Sequence, residues 1–225
     1  MSVPAVRIEG LRFTRPGGFR LAVEDLAVAS GERLALVGPS GSGKTTLLAL
    51  LAGILVPDAG RVLVGDTDVA ALPDARRRAF RARHVGLVFQ GFELVDYLSA
   101  RENILYPYRI APDLALDAEA RAYADALGRS LCLGALLDRR PGALSQGERA
   151  RVALARALVT RPGLVLADEA TGNLDPDGKA RALDLLFERT AETGASVIAA
   201  THDHALLDRF DRAIDVAAFA RAEAA

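Results

Sequence analysis

The stretch Gly38-Pro39-Ser40-Gly41-Ser42-Gly43-Lys44-Thr45 meets the pattern G-x-x-x-x-G-K-[ST] at every constrained position. Glycines at those places let the backbone curl until successive N–H groups point at one phosphate, and the positive end of a following helix adds to the attraction. Lys44 then neutralises the β- and γ-phosphates of a nucleotide, Thr45 offers its hydroxyl to Mg²⁺, and Thr46 extends the binding set into the helix. Further along, Leu164-Val165-Leu166-Ala167-Asp168-Glu169 is an apolar run ending in two carboxylates. As a strand it sets them at the carboxyl edge of a sheet, where ligands of such folds bind. Asp168 suits the Mg²⁺ shell, and Glu169 suits accepting a proton from water that attacks the γ-phosphate. By itself a strand ending in Asp-Glu is equally well explained as a surface turn; combined with a phosphate loop it predicts ATP hydrolysis.

These groups need rigid elements behind them. Leu34 to Val37 is a short buried strand leading into the loop, and Thr45 to Leu55 has the length and leucine content of a helix. Val85 to Phe89, Leu164 to Ala167 and Val197 to Thr201 have the apolar continuity of strands buried on both faces, as in a parallel sheet. Before them, Val3 to Val28 predicts antiparallel strands around Pro16-Gly17-Gly18. From Gly91 to about Leu144 strand signals vanish, while Ala118 to Leu127 and Leu131 to Leu137 predict helices. The predicted class is α/β: a phosphate-loop core with a mostly parallel sheet, an N-terminal antiparallel β part and an inserted helical part. One domain spans 1–225, with its core in 1–90 and 145–225 and the helical lobe in about 91–144.

Composition narrows the function. At 225 residues, with 51% hydrophobic and 25% charged side chains, the chain has the make-up of a globular domain. Its 28 basic and 29 acidic side chains leave a net charge of −1, which gives no general attraction to nucleic acid. The single cysteine, Cys132, reads as a small buried apolar residue, and its solitude fits a reducing compartment. The first residues lack a signal peptide's basic and apolar regions. The longest apolar run, Leu47 to Val56, is about half of the roughly 20 residues that span a bilayer, so a membrane would be crossed by another chain. The cluster Arg76, Arg77, Arg78, Arg81 and Arg83 fits a solvated helix face or a surface turned toward a membrane or partner.

Further residues decide the family. Leu144-Ser145-Gln146-Gly147-Glu148 precedes a helix over Arg149 to Val159, Gln90 closes one predicted strand, and His202 closes another. In order and separation these resemble the signature motif, Q-loop glutamine and switch histidine of the ABC ATPases, and Asn173-Leu174-Asp175 resembles their D-loop. The resemblance covers nearly the whole chain. It implies that Gln90 and His202 join Lys44 and Glu169 in catalysis, that Gln90 also attends Mg²⁺, and that Ser145, Gly147 and Asp175 approach ATP. Without the other motifs, Gln90 would read as a strand-end cap and His202 as a surface histidine. An adenine base needs an aromatic face near the N-terminus, for which Phe13 is the first candidate and Phe19 the second. Gln146 and Ala170 stand where glycine and proline are common in the family, and the usual Asp-Gly turn after the last strand is missing.

A serine and glycine at a helix start form a second anion site, which one chain cannot bring to its own phosphate loop. The resemblance therefore implies a homodimer, or a heterodimer with a related ATPase, sandwiching two ATP, and a separate integral-membrane permease. It places the chain in the cytoplasm, peripheral on the inner face of the cell membrane, with Phe92, Leu94 and Tyr97 toward the permease or packed within the lobe. The stretches Val88 to Phe92 and Leu164 to Asp175 are similar to the branch of lipoprotein-release, macrolide-export and cell-division ATPases. The competing class is an ABC ATPase of DNA repair, chromosome organisation or translation. Its members carry coiled-coil or zinc-bearing insertions or a second ATPase unit, and this sequence has no heptads, cysteine cluster or second phosphate loop.

Overall fold

The computed structural model describes residues 4–15, 17–170, 172 and 174–221. In chain order its strands are β1 (Val6–Thr14), β2 (Arg20–Val28), β3 (Arg33–Val37), β4 (Ala59–Val64), β5 (Thr67–Asp68), β6 (Val85–Val88), β7 (Leu164–Asp168), β8 (Ser196–Ala200), β9 (Arg212–Asp215) and β10 (Ala220–Arg221). Its α-helices are α1 (Lys44–Leu51), α2 (Asp74–His84), α3 (Ala100–Ile104), α4 (Tyr106–Ile110), α5 (Ala118–Ser130), α6 (Gln146–Leu158) and α7 (Pro176–Thr193).

Two sheets follow from two hydrophobic patterns. β7 is buried from Leu164 to Ala167 and β8 at every position, and such runs need cover on both faces. They lie inside a parallel sheet of order β6-β7-β8-β3-β9, with β3 paired to β8 and β9. The other sheet, ordered β10-β2-β1-β4-β5, is antiparallel and has alternating burial.

The alternation on β1 skips a step. Val6 and Ile8 are buried, then Leu11 and Phe13, because the β1–β4 register shifts between Glu9 and Arg12. Gly10 sits in this irregularity at φ 59, and Gly60 on the facing strand comes so close that a side chain there would stand 2.4 Å from the Gly10 carbonyl oxygen. The bulge turns Phe13 inward, and it is 9% exposed in the core beneath the sheet. The expectation that Phe13 carries adenine is corrected accordingly.

One apolar core joins the antiparallel sheet to α1 and one face of the parallel sheet. A second fills the space between the other face, α6, α7 and the helices between β6 and α6. α1 stops at Leu51 rather than Leu55, because Gly53 takes φ 62 and Ile54 N–H turns back to the Ala49 carbonyl. The expected helix over Leu131 to Leu137 is instead a turn followed by a short 3₁₀ segment, Gly134–Leu136. Cys132 turns that corner at φ 57, exposed between buried Leu131 and Leu133, which corrects its expected burial. The arginine cluster lies on α2, where Arg76, Arg78 and Arg83 are exposed while Arg77 and Arg81 are partly buried and donate to the carbonyls of Leu72 and of Ala52 and Gly53, so it is not a single solvated face. Among the described residues no helix is long and apolar enough to cross a membrane.

β6 and α6 meet at Gly86, where an added Cβ would lie 2.3 Å from the Ala157 carbonyl oxygen. Gly86→Ala should therefore cost about 2–3 kcal/mol and lower the thermal midpoint by about 4–10 °C. An unchanged midpoint in a calorimetric scan would show that strand and helix do not pack this closely.

Candidate functional site

β3 delivers the chain into the phosphate loop at the carboxyl edge of the parallel sheet. Gly38, Gly41 and Gly43 take φ 138, 80 and 102, conformations that side chains rarely permit. Space matters as well: a Cβ at Gly38 would stand 2.8 Å from the Ser42 Oγ, and one at Gly43 would stand 2.6 Å from the Phe19 ring. α1 then begins at Lys44 with no side chain capping its N-terminus, so its first-turn N–H groups face the loop without a protein acceptor. Pro39 and Ser40 form the exposed lip, Thr45 is exposed, and Thr46 is buried below it. Lys44 Nζ donates to the carbonyls of Gly38 (2.7 Å) and Pro39 (3.0 Å), which hold the ammonium at the mouth of the loop.

Asp168 stands at the end of β7 beside that loop. Burial raises its pKa above the usual carboxylate value, the neighbouring Thr45 hydroxyl opposes the rise, adjacent Glu169 adds to it and Lys44 counters it. Glu169 follows at φ 44, a left-handed conformation uncommon for a residue with a side chain. Two backbone bonds hold it there, its N–H to the Ala200 carbonyl (3.1 Å) and its carbonyl from the Gly172 N–H (2.8 Å). Its Oε1 lies 3.4 Å from Nδ1 of His202, just past β8.

The turn bearing His202 is braced in a way that sequence reading missed. Asp203 accepts from Lys179 Nζ on α7 (3.0 Å) and from Ala205 N–H, and its own N–H donates to Thr201 Oγ1. The Lys179 bond is the main cause of the lowered Asp203 pKa. An acid beside His202 was visible in the sequence, but no local spacing ties it to a lysine so far away.

Ser145 and Gly147 open a different helix and take no part in the contacts that join Lys44, Thr45, Asp168, Glu169 and His202 among the described residues. Ser145 Oγ accepts from Glu148 N–H (3.3 Å) while the Glu148 carboxylate accepts from Ser145 N–H (2.7 Å), a reciprocal cap. That exchange depresses the Glu148 pKa and leaves the Ser145 hydroxyl proton and the N–H groups of Gln146 and Gly147 to face outward. Gln90 is exposed in the turn after β6. Asp175 is exposed at the N-cap of α7 without a side-chain capping bond, and Asn173, the first residue of the expected D-loop, lies outside the described residues. Phe19 is partly buried with its ring against Gly43, so the aromatic face beside the loop is the second candidate's. Of the three apolar residues singled out for a partner, Phe92 is buried in the core, Leu94 packs against it, and Tyr97 alone is exposed, at 73%.

Comparison with known proteins places this geometry. The family model for the ABC transporter matches residues 22–172. The lipoprotein-releasing system ATP-binding protein LolD of Ruegeria sp. (strain TM1040) is 42% identical over 222 residues, covering 95% of this chain and 96% of that protein. The uncharacterized ABC transporter ATP-binding protein YbbA of Escherichia coli K12 is 45% identical over 190 residues, covering 84% of this chain and 82% of its own. Among solved structures, the dimeric ABC transporter cassette MJ0796 aligns with a TM-score of 0.81 and 30% identity over 93% of each chain. A dimeric post-hydrolysis state of MJ0796 bound to ADP and Pi aligns with a TM-score of 0.82 and 27% identity over 98% of this chain and 99% of the other.

The raised Asp168 pKa has a sign that can be checked. An acid whose folded pKa exceeds its unfolded value destabilises the fold above the folded pKa, and the penalty fades as pH falls through that value. Asp168→Asn should therefore raise the melting temperature of the nucleotide-free chain at neutral pH, with the gain vanishing in acid. A variant less stable than the parent at neutral pH would contradict the assigned cause.

Proposed function

Because this chain belongs to the ABC transporter family, as the ATP-hydrolysing subunit of a membrane transporter, we propose that two copies close head to tail over two ATP molecules and so drive a separate permease. The observation that carries this reading is the division of the site. Lys44, Thr45, Asp168, Glu169 and His202 converge on one sheet edge, while the outward-facing donors of Ser145 and Gly147 belong to another surface of the same chain. Head-to-tail pairing sets each such surface against the other copy's phosphate loop. The alternative, an ABC ATPase of DNA repair, chromosome organisation or translation, is not favoured by these relatives.

In this mechanism the loop from Gly38 to Thr46 wraps the phosphates, the uncapped start of α1 adds its N–H groups, and Lys44 leaves its carbonyl partners for the β- and γ-phosphates. The adenine stacks on Phe19. Thr45 and Asp168, neighbouring hard oxygen donors, fit Mg²⁺, a cation that takes few protein ligands. When bound it supplies charge neutralisation at the phosphates. Gln90 contributes a side-chain oxygen beside it and orients the attacking water. Glu169 accepts that water's proton as the new bond to the γ-phosphorus forms and the bond to the ADP oxygen breaks, and His202 donates to the γ-phosphate. Ser145 and Gly147 of the second copy close on the same phosphate, with Asp175 at the seam between copies. Loss of the γ-phosphate removes what held the copies together.

The permease reaches the chain at a groove of about 780 Å³ whose apolar lining includes Ala79, Ala82, Leu87, Phe89, Tyr106 and Ile110. Its mouth suits a short helix from a membrane protein, and Ile110 is exposed at 59% along it. This attachment holds the chain on the inner face of the membrane.

Phe19→Ala should weaken ATP binding about tenfold in a calorimetric titration and leave the fold intact, and unaltered affinity would remove Phe19 from the adenine site. Glu169→Gln should lower kcat by about a hundredfold or more with ATP affinity kept within a few-fold. Tagged Glu169→Gln protein, loaded with Mg-ATP in its native cell, should bring down a stoichiometric integral membrane protein from solubilised membranes. Recovery of DNA or ribosomes instead would overturn the transporter reading and leave the ATPase in place.

A further inference from the structure

Arg156 on α6 reaches across to the segment that follows Gln90. Its Nη1 and Nη2 donate to the carbonyl oxygens of Glu93 and Phe92, each at 2.5 Å. Those residues are the pair held at φ 46 and 62, a left-handed conformation that persists for side-chain-bearing residues only where the surroundings fix it. A planar guanidinium fork matches two neighbouring carbonyls, and its charge strengthens both bonds. The turn holding Gln90 is thus closed twice: Phe92 N–H donates to the Phe89 carbonyl (2.9 Å), and the Phe92 carbonyl is held by Arg156. Burial works against the charge of Arg156, and the Glu93 carboxylate offsets part of that cost.

The same guanidinium belongs to two further surfaces. α6 begins at Ser145, so a force on Arg156 acts on the helix that presents the signature donors. Arg156, Glu93 and Phe89 also line the groove assigned above to the permease, so a segment seated there touches the strut itself.

We infer that Arg156 is a positioning residue that holds Gln90 in its working place and ties it to α6, so that occupation of the groove moves Gln90 and the Ser145 end of α6 together. The inference rests on the reading of Gln90 given under the proposed function.

The test is a double-mutant cycle in the full chain, measuring steady-state ATPase kinetics and thermal midpoints of Arg156→Lys, Gln90→Ala and the double variant. Lysine keeps the charge and loses the fork. Arg156→Lys should lower kcat about tenfold, with KM for ATP within about twofold and the midpoint close to the parent's, and the double variant should be no slower than Gln90→Ala alone. Losses that multiply in the double variant, an Arg156→Lys enzyme with parental kcat, or a kcat loss accompanied by a large fall in midpoint would each overturn the strut while leaving the role of Gln90 intact. A Gln90→Ala enzyme with parental kcat would overturn that role and the strut together.

Discussion

A phosphate chain is held by backbone N–H groups only where the backbone curls through conformations that side chains forbid, and Gly38, Gly41 and Gly43 supply that curl. The remainder of the site follows from this constraint. The loop must leave a strand and enter a helix whose first N–H groups lack a capping side chain, and α1 meets that condition at Gly43. β3 must be rigid at the loop's base, so it lies between β8 and β9 with its middle residues fully buried. Once β3 lies inside the sheet, the ends of β8 and then β7 arrive beside the loop and bring His202, Asp168 and Glu169 with them. The partly buried carboxylate of Asp168 and the left-handed backbone of Glu169 are costs to the fold that sit where the chemistry needs them.

Much of this was legible in the sequence, for a physical reason. The phosphate loop and the apolar strands are local patterns: glycine spacing dictates the curl, and runs such as Leu164 to Ala167 have no other way to be buried. The family, the two-sheet α/β fold and the helical character of α5 and α6 follow from such patterns together with the resemblance. What escaped depended on partners distant in sequence. Phe13 and Phe19 are both aromatic residues near the loop in the chain, but only the bulge at Gly10 decides which faces the core and which lies on Gly43. Cys132 looked like a buried residue until the left-handed turn between Leu131 and Leu133 set it outside. Arg156 was one of many arginines in an alanine-rich helix, and its two carbonyl partners lie on a turn whose shape no local motif announces.

In the proposed mechanism one chain is half a machine. The reciprocal cap of Ser145 and Glu148 makes the start of α6 stable without a ligand, leaving a hydroxyl and two N–H groups as a finished anion site in want of an anion. The phosphate loop, its mouth occupied by Lys44 and its own carbonyls, is the complementary half. In the proposed mechanism ATP joins two halves that are already folded, so closure is a rigid-body movement of the copies.

That division is tested most directly by mixing two inactive variants, Lys44→Ala and Gly147→Asp, and assaying ATP hydrolysis. If the site is shared between copies, a mixed dimer contains one intact phosphate loop facing one intact signature, and activity absent from either variant alone appears on mixing. A mixture no more active than the sum of its parts would contradict a site built from two chains.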